Sequence, residues 1–352
     1  MRAMVMDAVG QPLEVREVAE PVAPAGGVVV TVRATGLCRS DWHAWVGHEQ
    51  IALPHIPGHE LAGVVQAVGE GVTAWRVGDR VTVPFVCGCG QCEWCLRGDA
   101  QVCPHQEQPG FTHHGSFAER VALHAADTNL VRIPDSVSFE AAAALGCRFA
   151  TAFRAVHVRA RLLPGEWLAV VGAGGVGLSA IMIARALGAR VIAVDRNPGA
   201  LEAAVSLGAE QTLLAGSSAG SDGTHVADRV HELTDGGAHV SVDAVGSEQT
   251  SSDSILSLRR RGRHVQVGLL PSESGLSAIP MARAISWELD ILGSHGMAAV
   301  DYPAMLALIE RGALRPQDLI TATISLEQAA ERLTVLDRST VVGITMIDPT
   351  AQ

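Results

Sequence analysis

Six of the seven cysteines in this 352-residue chain fall where metal ligands would fall. Four stand at Cys89, Cys92, Cys95 and Cys103, spaced Cys-x2-Cys-x2-Cys-x7-Cys. Thiolates on so short a loop can converge on one tetrahedral ion. Four sulfurs leave no open position, so the spacing predicts a closed, structural zinc. The loop carries Arg97 against Glu93 and Asp99 and lacks the positive charge that a phosphate-binding zinc ribbon needs. Cys87 is left over as a spare thiol, or as a substitute for Cys89 if the loop shifts. A second set, Cys38, His59 and Cys147, offers two thiolates and an imidazole. Three protein ligands leave a fourth position for water or substrate, which is the arrangement of a catalytic zinc.

A third motif is the glycine run Gly172-Ala173-Gly174-Gly175-Val176-Gly177. It follows the apolar stretch Trp167–Val171 and opens a helical stretch. Glycines there permit a tight turn and close approach of a pyrophosphate to a helix N-terminus. Asp195 lies 18 residues past Gly177, at the end of a second apolar run. An acid there would accept both adenosine-ribose hydroxyls and repel a 2′-phosphate, which predicts NAD over NADP. Arg196 beside it could tolerate a phosphate or stack on adenine.

The elements that must position these residues are of two kinds. Residues 1–148 are rich in Val, Gly and Pro, with short alternating runs such as Val28–Val32 and Arg80–Val83, a β pattern with irregular loops. From about 150, Ala-rich helical stretches alternate with the apolar runs Leu168–Val171, Val191–Val194, His239–Val242, His264–Val267 and Ile291–Leu292. Strand–helix alternation implies a parallel sheet covered on both faces. Gly216–Gly223 reads as a surface loop. A helical stretch, Tyr302–Arg311, and an apolar run, Val341–Ile347, complete the chain. The expected fold is α/β, with a catalytic domain from 1–148 plus 296–352 and a cofactor domain over 149–295.

Bulk properties exclude other classes. Hydrophobic residues make up 48% of the chain, enough for two cores, and the net charge of −11 with a pI near 5.7 disfavours a nucleic-acid or anionic-membrane partner. Trp167–Ala184 runs 18 residues without a charge, near the length of a membrane span, but four glycines in its middle fit a turn instead. Asp7, Glu14 and Glu17 interrupt residues 1–20, so no secretory signal is expected and the setting is a reducing cytoplasm, where clustered cysteines bind metal.

Around the second metal set the chain reads Gly36-Leu37-Cys38-Arg39-Ser40-Asp41-Trp42-His43, then Gly58-His59-Glu60-Leu61-Ala62-Gly63, then Leu145-Gly146-Cys147. These segments and the four-cysteine lobe resemble, in order and over nearly the whole chain, the zinc-dependent medium-chain alcohol dehydrogenases. That resemblance implies a GroES-like β-rich catalytic domain and a Rossmann cofactor domain. It makes Cys38, His59 and Cys147 ligands of a catalytic zinc. Glu60 would stand behind the metal and ligate it transiently, and Asp41 would orient His59. Ser40 and His43 would relay the alcohol proton. Zinc stabilises an oxyanion, and a hydroxyl followed three residues later by an imidazole can pass the proton towards solvent. Arg39 would contact the pyrophosphate, and Thr151 and Val176 would pack on the nicotinamide. The backbone around Val267, and Ser294, His295 and Gly296, would hold the carboxamide. The polyol and threonine dehydrogenase branches usually carry an acid in place of Cys147, so the resemblance favours alcohol dehydrogenases proper. The implied reaction is reversible oxidation of a primary or secondary alcohol to an aldehyde or ketone, with hydride transfer to NAD. A polyol or amino-alcohol dehydrogenase is the alternative, and a non-catalytic zinc and nucleotide sensor a more remote one. Trp42, Trp45, His48, His113 and His114 are candidates for lining the pocket entrance, which would favour an apolar or aromatic alcohol. The family forms dimers and tetramers, and Ser286–Leu292 is the candidate edge.

Overall fold

The computed structural model describes residues 1–216, 225–270, 276–338 and 341–351. They divide into two compact units, Met1–Ala150 with Gly296–Gln352, and Thr151–His295. Beyond Gly216, the expected loop to Gly223 lies outside the described residues.

The first unit is built on a mixed, mostly antiparallel sheet. Its spine is the strand Val28–Leu37, which pairs with Glu60–Val68 on one side and with Ile344–Ile347 on the other. Arg80–Thr82 and Val131–Arg132 extend the Glu60–Val68 side, Ile320–Ile324 extends the other, and Arg120–Leu123 joins the first half of the spine. Val28, Val30 and Val32 alternate inward against Leu61, Val65, Val81 and Val121, as the period of two requires. A second cluster packs Met4, Leu13, Leu37 and Phe117 against Leu326, Ala329 and Leu333 of the helix Leu326–Thr334. The unit is less purely β than its sequence suggests. It also carries the helices Arg39–Trp45 and Phe139–Ala143 and a π-helical turn over Leu145–Phe149. The apolar run expected over Val341–Ile347 forms a strand only from Ile344.

In the second unit six strands run parallel in the order Gln211–Leu214, Arg190–Asp195, Trp167–Val171, Ala238–Asp243, Leu258–Gln266, Asp290–Gly293. The chain order reverses beside Trp167–Val171, where all five residues are buried. Ligands of such sheets bind outside the strand C-termini at this switch point. The candidate edge Ser286–Leu292 splits: Ser286 lies near the end of the helix Met281–Trp287, and the edge strand is Asp290–Gly293. None of the helices among the described residues is long and apolar enough to cross a membrane.

Candidate active site

Strand register brings the second metal set together. Gly36 pairs with Glu60, so Cys38, two residues past Gly36, and His59, one before Glu60, leave adjacent strands at the same end. Cys38 is also the N-cap of the helix Arg39–Trp45. Cys147 arrives on the π-helical turn, which is tied down where the Phe85 amide donates to the Gly146 carbonyl at 2.9 Å. Ligand atoms of Cys38, His59, Glu60 and Cys147 all lie within 4.8 Å of one another.

Asp41 fixes the imidazole. Its Oδ1 accepts from the His59 Nδ1–H at 3.0 Å and the Gly58 amide at 3.2 Å, while Oδ2 accepts from the Cys38 amide at 3.0 Å. One carboxylate therefore caps the helix and sets the tautomer of His59. The other ring nitrogen, Nε2, is buried and makes no hydrogen bond. An orphaned imidazole nitrogen facing two cysteine sulfurs is costly unless something takes its lone pair. Electrostatics agree with a cation-seeking site. Cys38 is held well below the usual thiol range, first by the Cys147 thiol, against burial, and then by the charge of Arg148. Burial opposes charge on His59, but Asp41 and the Cys38 sulfur outweigh it and raise its pKa.

Glu60 is fully buried and paired with Arg148. The guanidinium Nε donates to Oε1 at 2.9 Å, the Arg148 amide donates to the same oxygen at 3.2 Å, and Arg148 Nη2 bonds Oε2. Burial raises the Glu60 carboxyl pKa and Arg148 counters it. Gly36 makes room, since a Cβ there would stand 2.2 Å from Glu60 Oε2. Neither motif nor spacing assigns Arg148 a role. The signal for it is one arginine within the apolar run Ala141–Phe153, a charge that burial forces to find a partner.

Ser40 Oγ lies 3.8 Å from Cys38 Sγ. His43 stands three residues on in the same helix, and its Nδ1 is 2.9 Å from Nδ1 of His48. Trp42 and Trp45 are half-buried, and Trp45 lines a cavity with Gly10, Leu13 and Val335. Trp42 and Trp45 pack their apolar faces on the core cluster containing Met4 and Leu13, and Trp45 donates from Nε1 to the Gln11 carbonyl at 2.7 Å. His113 and His114 line a separate cavity of about 410 Å³ with Met1, Val5 and Ile56. The rings that do face His59 are Phe111 and Phe85, at centroid distances of 5.1 and 6.1 Å.

The four-cysteine lobe also converges. Cys92 caps the short helix Glu93–Leu96, which carries Cys95, and Cys92 Sγ lies 3.5 Å from Cys95 Sγ and 3.6 Å from Cys103 Sγ. Amides of Cys89 and His105 donate to Cys103 Sγ at 3.4 and 3.3 Å. Amides of Gln91 and Cys92 hold the Cys89 thiol down at about 6. Such donors favour thiolates, but burial outweighs them at Cys95 and Cys103 and raises both thiols. Asn129 anchors the loop, accepting from the Gly88 amide at 2.8 Å and donating to the Gly88 carbonyl at 2.9 Å. Cys87 stands outside the cluster. It is buried among Val81, Val83 and Leu130, where burial raises its thiol pKa.

On the second unit the glycine run forms the predicted turn. Gly172 sits at φ +94°, and a Cβ on Gly177 would stand 1.8 Å from the Gly172 carbonyl oxygen, so helix and turn could not close. The helix Gly175–Ala186 starts with no side-chain cap, and nothing lies within 4 Å of where a Gly174 Cβ would be. Its first amides are thus open to an anion. Asp195 ends its strand with Oδ2 accepting from the Ala173 amide at 2.6 Å and Oδ1 from the Asn197 amide at 2.8 Å. A carboxylate has further lone pairs for ribose hydroxyls. Arg196 packs its stem near Gly216. Val176 stands in the first helical turn and Thr151 is buried in the helix Ala150–Phe153. The Val267 and Ser294 amides are bound to the Asp243 and Gln266 carbonyls, both at 3.1 Å, and the buried Ser294 hydroxyl has no hydrogen-bond partner. His295 follows Ser294 as the last residue of the unit. Arg39 is exposed, its guanidinium 5.7 Å from the Trp42 ring.

A sulfur–imidazole set on one unit and a glycine turn at the switch point of the other are the parts of a metal-assisted, nucleotide-linked dehydrogenase. Comparison with known proteins agrees. Residues 24–135 match the alcohol dehydrogenase GroES-like domain and residues 175–311 the zinc-binding dehydrogenase family. An alcohol dehydrogenase of Geobacillus stearothermophilus is 37% identical over 297 residues, 84% of each chain. A crystal structure of an NAD-dependent alcohol dehydrogenase superposes with a TM-score of 0.87 at 33% identity, covering 99% of both chains. The alcohol dehydrogenase of Thermus sp. ATN1 does so with 0.89 at 31%, also over 99% of each. The chain belongs to the zinc-dependent alcohol dehydrogenases of the medium-chain dehydrogenase/reductase superfamily.

Proposed function

We propose that the chain oxidises primary or secondary alcohols reversibly to aldehydes or ketones with NAD, using Cys38, His59 and Cys147 to hold one zinc and Cys89, Cys92, Cys95 and Cys103 to hold another. The observation that carries this reading is the buried, unbonded Nε2 of His59, its ring locked by Asp41 and grouped with two sulfurs. Zinc at that set supplies Lewis-acid polarisation of a hydroxyl or carbonyl, and NAD supplies the hydride acceptor.

The chain's own residues do the rest. Ser40, beside Cys38, accepts the hydroxyl proton, and His43 carries it outward. Arg148 holds Glu60 drawn back until a ligand exchange needs it, a role that buried carboxylate–guanidinium geometry supports. Phe85 and Phe111 exclude water around His59 and favour an apolar or aromatic alcohol. Gly172, Gly174, Gly175 and Gly177 admit the pyrophosphate, which Arg39 neutralises, and Asp195 binds the adenosine ribose, with Arg196 on its flank. Thr151 and Val176 pack on the nicotinamide. The backbone at Val267 and His295, with the free Ser294 hydroxyl, receives its carboxamide. A homodimer or homotetramer through the edge strand Asp290–Gly293 is supported by exposed Ile291 and Ile285, and light scattering after size exclusion tests it.

The deciding experiment is cofactor reduction against a panel of aliphatic, benzylic and polyhydric alcohols, with NAD and NADP, before and after zinc chelation. Chelator-sensitive oxidation of benzylic or alkyl alcohols with NAD is expected. A preference for polyols would move the reading to a polyol dehydrogenase. No turnover despite bound zinc and NAD would move it to a sensor.

A further inference from the structure

The relay implied by Ser40 and His43 ends, in the sequence, at His43. In the structure it does not. His48 turns back so that its amide donates to the His43 carbonyl at 3.0 Å, and the two Nδ1 atoms stand 2.9 Å apart. Their rings lie 5.2 Å apart between centroids, with Trp42 edge-on to both at 5.1 and 5.8 Å. His43 is half-buried and His48 is exposed.

Two imidazole nitrogens at this distance are stable only if one carries a hydrogen and the other a lone pair. We propose that His48 is the outward station of the proton path, exchanging protons with water on behalf of His43. This rests on the alcohol dehydrogenase reading. When a proton reaches Nε2 of His43, the hydrogen on its Nδ1 passes to Nδ1 of His48. His48 then releases a proton from its own Nε2 to water. One proton enters and one leaves, and the reverse sequence supplies the proton for carbonyl reduction. His48 acts through His43 and touches neither substrate nor cofactor.

The charged neighbours are consistent with a pair that holds one proton at a time. Burial lowers the pKa of His43, as do the charges of His48 and Arg39, with the Cys38 sulfur opposing them. Two imidazolium rings in contact would repel, so one shared hydrogen between the Nδ1 atoms is the favourable arrangement. Glu49, the other ionisable group next to His48 in the chain, has its own carboxyl pKa raised by burial.

The test compares wild type with H48Q, H43Q and H48Q/H43Q. In weakly buffered solution, proton release to an indicator dye during a single turnover should slow about tenfold in H48Q, less than the ~10²–10⁴ typical of a direct general base. Added imidazole should restore H48Q and leave wild type unchanged. In the double variant, loss of His48 should add nothing to H43Q. Independently of turnover, nitrogen NMR of the NAD-free protein should show a scalar coupling across the shared hydrogen between the two Nδ1 atoms, absent in H48Q. Wild-type release rates in H48Q without buffer dependence, or no such coupling in wild type, would overturn the proposal. An inactive wild type that retains the coupling would instead sink the enzymatic reading and leave the proton pair standing.

Discussion

Replacing Asp41 by Asn keeps the shape of the side chain and removes its charge, at a place where every donor already has a set partner. Asp41 is 1% exposed and accepts three hydrogen bonds, two on Oδ1 and one on Oδ2. An amide has one accepting oxygen. Its best orientation keeps that oxygen on Gly58 and His59 and turns the NH₂ towards the Cys38 N–H. Donor then meets donor in a buried place, and an unsatisfied buried backbone amide costs about 1–3 kcal/mol. The bond to His59 also loses its charge assistance, which roughly halves its strength. Removing an outer partner of a metal-ligating histidine typically costs about 10–100-fold in metal affinity. The D41N protein should therefore unfold in denaturant with about 1–3 kcal/mol less stability when metal-free. In competition with a chromophoric chelator it should bind zinc at the Cys38 set about 10–100-fold more weakly. Stability and affinity indistinguishable from wild type would refute the reasoning, since no arrangement of an amide satisfies all three donors.

Gly36→Ala should force Glu60 and Arg148 apart, because its Cβ would stand 2.2 Å from Glu60 Oε2, with a stability loss of about 1–3 kcal/mol on denaturant unfolding. On the proposed two-zinc reading, Cys92→Ser should remove about one zinc per chain by elemental analysis and lower the melting temperature. An unchanged zinc content would remove the closed site. His55 is buried, and burial pushes its pKa down to about 4. The unfolded chain takes up that proton first as pH falls below about 6.5, so native stability should decline between about pH 6.5 and pH 4, by about 3 kcal/mol from this group. His55→Gln should flatten that part of the stability–pH curve, and an unchanged slope would contradict it.

Features encoded locally are the ones legible in the sequence. Four cysteines between Cys89 and Cys103 need little beyond their own loop to converge. The glycine run carries its geometry in its residue types, because only glycine fits at Gly172 and Gly177. The strands around it announce themselves as buried apolar runs. The Cys38, His59 and Cys147 set is legible only through the wording of its three segments, since the register that aligns Gly36 with Glu60 is a long-range pairing. Partners at long range are not legible. Arg148 meets Glu60 across 88 positions, and His48 reaches His43 through a turn with no motif. What the tryptophans of the helix Arg39–Trp45 touch is not legible either: both pack against the core cluster, and Trp45 also lines a cavity with Gly10 and Val335. The buried network in which His264 bonds Ser241, Ser254 and Gln266, and Gln266 bonds Asp243, is likewise invisible in a run that reads simply as a strand.

The strand Ile344–Ile347 pairs with Thr35–Leu37, immediately before Cys38. A ribosome making this chain supplies that neighbouring strand about 200 residues after it has made the last cysteine of the set. At about 5–20 residues per second, Thr35–Leu37 waits roughly 10–40 s beyond the synthesis of Cys147 with an unpaired edge. The parallel sheet of Thr151–His295 is contiguous in the chain and has all its strands in hand well before then. Birth order is thus nucleotide sheet first and metal-set sheet last. During that interval Thr35–Leu37, which leads into Cys38, has no strand on the edge that Thr345–Ile347 will take.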